Sequence, residues 1–215
     1  MSVKVKICGL NSEAALSAAV AGGASHVGFV FYPPSPRAVE TEHAAALGGG
    51  VPAGIVKVGL FVDAAENAIA EILAKVPLDM LQLHGDETSR RVQDIRRRFG
   101  LPVMKALKLA SAADLAAADE YLRVADWLLF DAKPPAEMKG ALPGGNALSF
   151  DWSLIAERSW ARPWMLSGGL NDGNLAAAVA TSRAMVVDVS SGVEDVPGRK
   201  SPAKIASFLK LAASL

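Results

Sequence analysis

The sequence predicts a single (β/α)8 barrel with eight parallel strands, because short apolar runs alternate with helix-like segments along its 215 residues. The runs are nearly continuous in Val, Ile, Leu and Phe, which is typical of parallel strands covered by helices on their outer face. Successive runs begin about 20 to 35 residues apart, which leaves room for a crossover helix between strands. No linker interrupts the alternation, so we expect one domain over residues 1–215.

Each strand is assigned to an apolar run that ends in a polar, glycine-rich or charged residue. The predicted strands are residues 3–8, 26–31, 56–62, 80–84, 103–109, 127–132, 164–168 and 185–189. Two loops at strand ends, residues 32–37 and 133–146, are rich in Pro and Gly and longer than a plain connection requires. Loops of this kind are often functional.

Helix start and stop signals lie between the strands. The first predicted helix runs from Asn11-Ser12-Glu13 to Gly22-Gly23, and the second runs from a cap at Asp63 to Lys75, before Pro77. The next two cover residues 87–98, before Gly100, and residues 112–123. The last three cover 152–160 with a cap at Asp151, 174–181 with a cap at Asn171 or Asp172, and a final helix capped by Ser201 with Pro202 in its first position.

Composition and charge argue against several classes of protein. Lys plus Arg and Asp plus Glu are both 22, and zero net charge argues against non-specific binding of nucleic acid. The N-terminus shows no signal peptide, and no apolar run approaches the ~20 residues that a membrane helix needs. One cysteine cannot form an internal disulfide, which fits a reducing compartment. We therefore expect a cytoplasmic protein without a nucleic-acid or membrane partner.

Catalytic groups of a barrel lie where its strands end. Cys8 ends the first strand close to Lys6 and to the first helix, and such a setting can lower the pKa of a thiol. Asp131 ends the sixth strand, where a carboxylate usually points into the site. Two titratable groups at the same end of the barrel can act as a general acid and a general base, as an isomerisation requires. Alternatively, Cys8 is a small buried hydrophobe, and Asp131 caps a helix or pairs with Lys133 or Arg37.

Three more polar residues are candidates for substrate binding. Arg37 follows the second strand and can bind a carboxylate in bidentate fashion. His84 ends the fourth strand and could orient substrate or satisfy a loop carbonyl, and Gln82 lies two residues before it. His26 begins a strand at the opposite end of the barrel, and His43 lies in a helix. We expect neither a metal nor a cofactor, because metal-ligand spacing and nucleotide fingerprints are missing from the sequence.

Small residues end both of the last two strands, Gly168-Gly169 the seventh and Ser190-Ser191-Gly192 the eighth. Barrels frequently bind phosphate with these two loops, because exposed backbone N–H groups can approach an anion closely. The alternative is that the glycines serve only tight turns. We therefore expect a small phosphorylated substrate held by these five residues.

Seven segments, in order along the chain, carry a more specific pattern. They are Lys6-Ile7-Cys8-Gly9-Leu10, Gly28 to Arg37, Val58 to Val62, Leu81 to Glu87, Leu129 to Ala132, Ser167 to Asn171, and Val187 to Glu194. Together they resemble the motifs of the phosphoribosylanthranilate isomerase family over essentially the whole chain.

This resemblance implies a (β/α)8 enzyme of tryptophan biosynthesis that rearranges a phosphoribosylated anthranilate, an aminoaldose, into an aminoketose. It implies that Cys8 is the general base, that Asp131 is the general acid, and that Arg37 pairs with the anthranilate carboxylate. The chain departs from the family pattern at Ser167, where Ala is common, at Asn146-Ala147 and at 199–201. None of these departures removes a proposed acid, base or carboxylate anchor.

Other hypotheses remain open. A histidine-pathway aminoaldose isomerase generally uses two aspartates, so Cys8 disfavours it, although a second substrate of that pathway is possible. A non-catalytic barrel that binds a phosphorylated ligand would keep the Gly and Ser clusters but need neither Cys8 nor Asp131. A structural role within a larger multienzyme polypeptide is a third hypothesis, although we expect no fusion because the barrel accounts for both ends of the sequence. The sequence is compatible with a monomer or a homodimer.

Overall fold

Eight parallel strands form a closed barrel, in chain order, in the computed structural model of this protein. The structure describes residues 2–135, 137, 138, 140 and 142–215. The strands are β1 (Lys4–Cys8), β2 (His26–Val30), β3 (Val56–Phe61), β4 (Met80–Leu83), β5 (Val103–Leu109), β6 (Trp127–Ala132), β7 (Trp164–Leu166) and β8 (Val186–Val189). Lys6 of β1 lies opposite His26 of β2 and Asp188 of β8, which closes the barrel. The predicted barrel of eight parallel strands is confirmed, with each boundary within two residues of its predicted place.

Helices follow the strands and cover the outside of the barrel. They are α1 (Glu13–Ala21), α2 (Thr41–Gly49), α3 (Glu66–Leu73), α4 (Ser89–Phe99), α5 (Ala118–Tyr121), α6 (Ser153–Ala156), α7 (Leu175–Ser182) and α8 (Pro202–Ala213). The predicted helix over 112–123 is a 3₁₀ helix (Ala112–Ala117) that leads into α5. None of the helices in the described part of the chain combines the length and apolar character that crossing a bilayer requires.

The interior of the barrel changes from apolar to polar along its axis. The amino-terminal half is filled by an apolar cluster of Val58, Met80, Met104, Ala106, Leu129, Met165 and Val186. Further along the barrel axis, the inward positions carry Lys6, Gln82 and Asp188, all of them buried. A separate and larger apolar core packs the strands against the helices. The polar groups are therefore concentrated toward the mouth formed by the strand carboxyl ends.

A short antiparallel hairpin follows the barrel, made of β9 (Glu194–Val196) and β10 (Arg199–Lys200). Its turn contains Gly198, whose φ is 84° and whose carbonyl accepts a hydrogen bond from Asn11 Nδ2 at 3.0 Å. A Cβ on Gly198 would overlap the carbonyl group of Pro36. The hairpin therefore lies against the loops that follow β1 and β2, at the same mouth.

The predicted cap at Asp63 is wrong, because α3 has Ala65 at its N-cap. Asp63 has a φ of +47°, and its Oδ1 accepts a hydrogen bond from the backbone N–H of Asp86 at 2.8 Å. Its own N–H donates to Glu87 Oε1 at 2.9 Å. Tertiary contacts therefore use Asp63 to join the loops after β3 and β4 instead of starting a helix.

The later helix signals were only partly correct. The N-cap of α6 is Trp152 and not the predicted Asp151, although Asp151 Oδ1 accepts a hydrogen bond from the N–H of Ser153 at 3.0 Å, and α6 is shorter than the predicted 152–160. The N-cap of α7 is Asn174 and neither of the two predicted residues, and its Oδ1 accepts from the N–H of Asn171 at 2.8 Å. The predicted long loop 133–146 includes residues 136, 139 and 141, which lie outside the described residues.

Candidate active site

The mouth at the carboxyl ends of the strands holds a cavity lined by Cys8, Arg37, His84, Asp131, Ser190 and Ser191, among others. Side chains of a strand alternate between its two faces. Cys8 therefore faces the same interior as Lys6, and Asp131 faces the same interior as Leu129. The ends of β1, β4 and β6 bring a thiol, an imidazole and a carboxyl to one cavity.

Cys8 is 5% exposed and lies beside Gly28 of the neighbouring strand. A Cβ on Gly28 would lie 3.2 Å from Cys8 Sγ and 3.3 Å from Lys6 Cε, so the missing side chain makes room for both groups. Burial raises the pKa of the Cys8 thiol, and the nearby Lys6 ammonium offsets only part of that rise. The expected lowering of the thiol pKa by a nearby cation is thus outweighed, in the free protein, by loss of hydration.

Asp131 belongs to a row of three buried polar side chains. Asp131 Oδ2 lies 3.1 Å from His84 Nε2, and His84 Nδ1 lies 2.8 Å from Gln82 Nε2. Asp131 Oδ1 accepts a hydrogen bond from the N–H of Ala132 at 2.9 Å. His84 lines the cavity, whereas the fully buried Gln82 lies behind it and is not on the cavity wall. Gln82 is thus placed to orient His84 and not to touch a ligand directly.

Arg37 is buried in an ion pair that the sequence did not reveal. Its Nε donates to Glu194 Oε1 at 2.8 Å, and its Nη2 donates to Glu194 Oε2 at 2.9 Å and to the carbonyl of Gly145 at 3.2 Å. Glu194 also accepts from Lys200 Nζ at 2.6 Å. Burial favours the neutral acid, but Arg37 and Lys200 outweigh it and lower the pKa of Glu194. The hairpin therefore fixes the guanidinium at the cavity wall.

The glycines after β7 serve a close approach between chain segments. Gly168 and Gly169 have φ of 95° and 59°, and a Cβ on Gly169 would lie 2.8 Å from the carbonyl oxygen of Leu148. A Cβ on Gly192 would likewise overlap the Leu170 carbonyl. These contacts support the turn interpretation that the sequence left open.

The same segment offers hydrogen-bond donors to the cavity. Within the described part of the chain, the amide N–H groups of Gly168, Gly169 and Ser191 donate no hydrogen bond. All three residues line the cavity, as does Ser190, whereas Gly192 does not. Ser190 Oγ donates to the carbonyl of Cys8 at 3.1 Å and accepts from Lys200 Nζ at 3.1 Å. Free amide groups beside a buried ammonium are suited to an anion.

The segment from Leu142 to Leu148 lies over the cavity and touches the polar side chains. A Cβ on Gly144 would lie 2.7 Å from His84 Nε2 and 2.8 Å from Asp131 Oδ2. A Cβ on Gly145, which has a φ of +76°, would lie 2.5 Å from Arg37 Nη1. Glycine at these two places therefore lets the backbone sit directly on the candidate acid and the candidate anchor.

A buried ion pair at the wall of the cavity was also missed. Lys6 Nζ donates to Asp188 Oδ1 at 2.8 Å, and Ser167 Oγ donates to Asp188 Oδ2 at 3.1 Å. The signal for this pair was present in the sequence, because Lys6 and Asp188 each lie between apolar neighbours in β1 and β8. Burial opposes the charge of Lys6, but Asp188 and Cys8 outweigh it and raise the pKa of Lys6.

A second buried pair lies outside the cavity. Lys105 Nζ donates to Glu87 Oε2 at 2.7 Å and to the carbonyl of Gly85 at 2.6 Å, which holds the loop after β4 in place. Among the described residues, no group of three or more His, Cys, Asp or Glu side chains is arranged to hold a metal ion.

These features define a class: a (β/α)8-barrel enzyme whose mouth is equipped for acid–base chemistry on a small anionic ligand. Comparison with known proteins identifies the family. A family model described as N-(5'phosphoribosyl)anthranilate (PRA) isomerase matches residues 5–211. The chain belongs to this family, and it is an isomerase of tryptophan biosynthesis.

Named relatives agree over the full length. N-(5'-phosphoribosyl)anthranilate isomerase of Rhodospirillum centenum is 59% identical over 215 residues, which cover 100% of both chains. The enzyme of the same name from Paramagnetospirillum magneticum is 56% identical and covers 99% of this chain and 98% of the relative. These matches favour the family interpretation over the histidine-pathway and non-catalytic hypotheses.

Solved structures show the same architecture. The phosphoribosyl anthranilate isomerase of Thermotoga maritima superposes with a TM-score of 0.88 at 37% identity, covering 99% of this chain and 100% of that one. A crystal structure of such an isomerase in complex with reduced 1-(o-carboxyphenylamino)-1-deoxyribulose 5-phosphate has a TM-score of 0.85 at 36% identity, with the same coverage.

Proposed function

We propose that this chain catalyses the Amadori rearrangement of N-(5-phosphoribosyl)anthranilate to 1-(2-carboxyphenylamino)-1-deoxy-D-ribulose 5-phosphate, with Cys8 as general base and Asp131 as general acid. The observation that carries the assignment of roles is that both residues line one cavity, although they come from β1 and β6. The reaction moves protons at two parts of one sugar, so it needs two separate titratable groups at one site.

The acid step opens the sugar ring. Asp131 donates a proton to the ring oxygen, the C1–O bond breaks, and the nitrogen lone pair forms a protonated Schiff base with C1. His84, which lies 3.1 Å from Asp131, fixes the orientation of the carboxyl. Gln82 in turn fixes the ring of His84. Such support limits the motion of the acid relative to the substrate.

The base step removes a proton from carbon. The Cys8 thiolate takes the proton from C2 of the sugar, and the electron pair moves to C1 and neutralises the Schiff base. The resulting enolamine then tautomerises to the aminoketose. The raised pKa of the buried thiol makes its thiolate a stronger base once it forms.

Both ends of the substrate are anions, and the cavity has a cation or free donors for each. Arg37, with two of its nitrogens held by Glu194, presents the remaining Nη1 to the anthranilate carboxylate. The amides of Gly168, Gly169 and Ser191 face the phosphate, with Ser190 and Gly192 shaping the same turn. Binding energy at these remote groups is used to orient the reacting carbons.

We propose that the enzyme works in the cytoplasm on a small phosphorylated sugar, without a cofactor, a nucleic acid or a membrane partner, as a monomer or a homodimer. The balance of 22 basic and 22 acidic residues and the single free thiol support this setting. No step of the proposed reaction transfers a hydride or an electron to another molecule, so acid–base groups are sufficient.

The roles are tested with Cys8→Ser and Asp131→Asn, which keep the shape of each side chain. Each variant is expected to lower kcat by at least ~10²-fold, the contribution of one acid–base group. Turnover is followed by the loss of substrate fluorescence. Mass spectrometry must show a product of unchanged mass, which separates isomerisation from hydrolysis to free anthranilate.

The matched control is Asp94→Asn, a carboxylate on the exposed face of α4 far from the cavity, which is expected to keep parental turnover. Near-parental kcat in either Cys8→Ser or Asp131→Asn, with a normally folded protein, would contradict the role of that residue.

A further inference from the structure

The thiol of Cys8 does not stand alone in the barrel, because a buried ion pair lies beside it. Lys6 is 0% exposed and precedes Cys8 by two residues on β1, so both side chains face the interior. Their atoms Lys6 Cε and Cys8 Sγ flank the same empty position above Gly28. An ammonium at this place is too deep to contact bulk water.

Asp188 on the next strand completes the arrangement. It accepts from Lys6 Nζ at 2.8 Å and from Ser167 Oγ at 3.1 Å, and it also lines the cavity that contains Cys8. Burying an unpaired lysine ammonium would cost free energy of folding. If the ammonium were fully neutralised by its carboxylate, it could not stabilise a thiolate. The observed geometry is intermediate, since one ammonium is adjacent to both a carboxylate and a thiol.

We propose that the Lys6–Asp188 pair controls the ionisation of Cys8, with Lys6 making the thiolate attainable in a buried site and Asp188 limiting how readily it forms. Lys6 and Asp188 are thus positioning residues that act through Cys8. The proposal rests on the role of Cys8 as general base, and it adds the groups that set the strength of that base.

The charges that face Cys8 support this assignment. β1 contributes Lys6, β8 contributes Asp188, and β10 contributes Lys200, while the β2 residues beside Cys8, Gly28 and Val30, are uncharged. Burial raises the pKa of the thiol, Lys6 lowers it, and Asp188 raises it. Lys200 also lowers it, but this lysine is held by Glu194 at 2.6 Å. Lys6 lies beside Cys8 on the same strand and lowers the thiol pKa more than Lys200 does, so it is the principal cation opposing the desolvation of the thiolate.

The chain offers a direct measurement, because Cys8 is its single cysteine. The midpoint of thiol ionisation is obtained from the pH dependence of far-ultraviolet thiolate absorbance and of alkylation by iodoacetamide, without substrate. Cys8→Ser supplies the blank for both signals. The midpoint is measured because it is insensitive to how freely the reagent enters the cavity.

Two variants should move the midpoint in opposite directions. Asp188→Asn leaves Lys6 without its carboxylate and is expected to lower the midpoint by about one unit, a tenfold gain in thiolate. The double variant Lys6→Met/Asp188→Asn removes both charges and is expected to raise it by a similar amount. The double variant leaves no unpaired buried charge, so it remains informative if the single variant does not fold.

The matched control is Lys105→Met/Glu87→Gln, which removes a buried ion pair of the same kind outside the cavity and should leave the midpoint in place. The acidic limb of the kcat/KM profile should follow the thiol midpoint in each cavity variant. If the pair were merely structural, its removal would lower the stability of the protein without moving the midpoint of the thiol titration or that of the kcat/KM profile.

The possible failures are distinguishable. An unmoved thiol midpoint in the double variant, together with an inactive Cys8→Ser protein, would overturn the control proposed for Lys6 and Asp188 and leave the role of Cys8 intact. A fully active Cys8→Ser protein would overturn the proposed role of Cys8 itself, whatever the thiol titration shows.

Discussion

The contact between Gly144 and the candidate acid gives a prediction whose size follows from distances. In Gly144→Ala, the new Cβ would lie 2.7 Å from His84 Nε2 and 2.8 Å from Asp131 Oδ2, whereas an ordinary Cβ contact begins at 3.4 Å. To relieve this overlap, His84 or Asp131 must move by about 0.7 Å, although both must stay aligned with the substrate. Both neighbours are buried and hydrogen-bonded to each other, so neither can move away alone.

A misplacement of about 1 Å at reacting groups can cost ~10²-fold in rate. We therefore expect Gly144→Ala to lower kcat by about 10-fold to 100-fold. The melting temperature should change little, since the residue lies in a loop at the cavity mouth. The assay is steady-state turnover of the fluorescent substrate, with thermal unfolding followed by circular dichroism.

Gly49→Ala is the matched control, because a Cβ at that residue of α2 would meet nothing within 4 Å. It should keep parental kcat. Parental kcat in Gly144→Ala as well would refute the reasoning, because it would show that this loop does not rest on Asp131 and His84 during turnover.

Two further predictions concern other buried charges. Glu194→Gln weakens the hold on Arg37 and is expected to raise KM at least about tenfold, since it removes a charge-assisted hydrogen bond; a KM unchanged in steady-state assays would contradict the anchor. His26, which packs edge-on against Trp127, has its pKa lowered from 6.5 to about 4 by burial and by Lys6. Between those values the unfolded chain binds a proton that the folded protein excludes, so stability falls as pH falls, by up to about 3 kcal/mol. Urea unfolding should show that the free energy of unfolding of His26→Phe falls less between pH 6.5 and about 4 than that of the parent protein. The same dependence on pH in both proteins would refute the assignment.

The strands and the catalytic candidates were predictable because both depend on local pattern. Continuous apolar runs fixed the barrel, and a polar residue at the end of such a run placed Cys8 and Asp131 at the mouth. Strand alternation alone also places Lys6 on the interior face with Cys8. What the pattern could not supply was the partner of each charge.

Partners of buried charges depend on packing between distant segments. Arg37 and Glu194 are 157 residues apart, and the hairpin that joins them has only five residues in strands, Glu194–Val196 and Arg199–Lys200. The helix caps also depend on distant contacts. Asp63 has a good local signal for starting a helix, but its carboxylate binds the backbone of the loop after β4 instead. Local preference gives way where a tertiary contact satisfies the same polar group.

The span of these contacts has a consequence for how activity arises during synthesis. Lys6 and Asp188 are 182 residues apart, and Arg37 pairs with a hairpin that follows β8, the last strand of the barrel. A nascent chain that has emerged as far as β7 thus has its thiol and acid but neither their charge balance nor a fixed guanidinium. Competence therefore requires β8 and the hairpin to be synthesised and to pack against β1 and the loop after β2, because the charge partners come from these late segments.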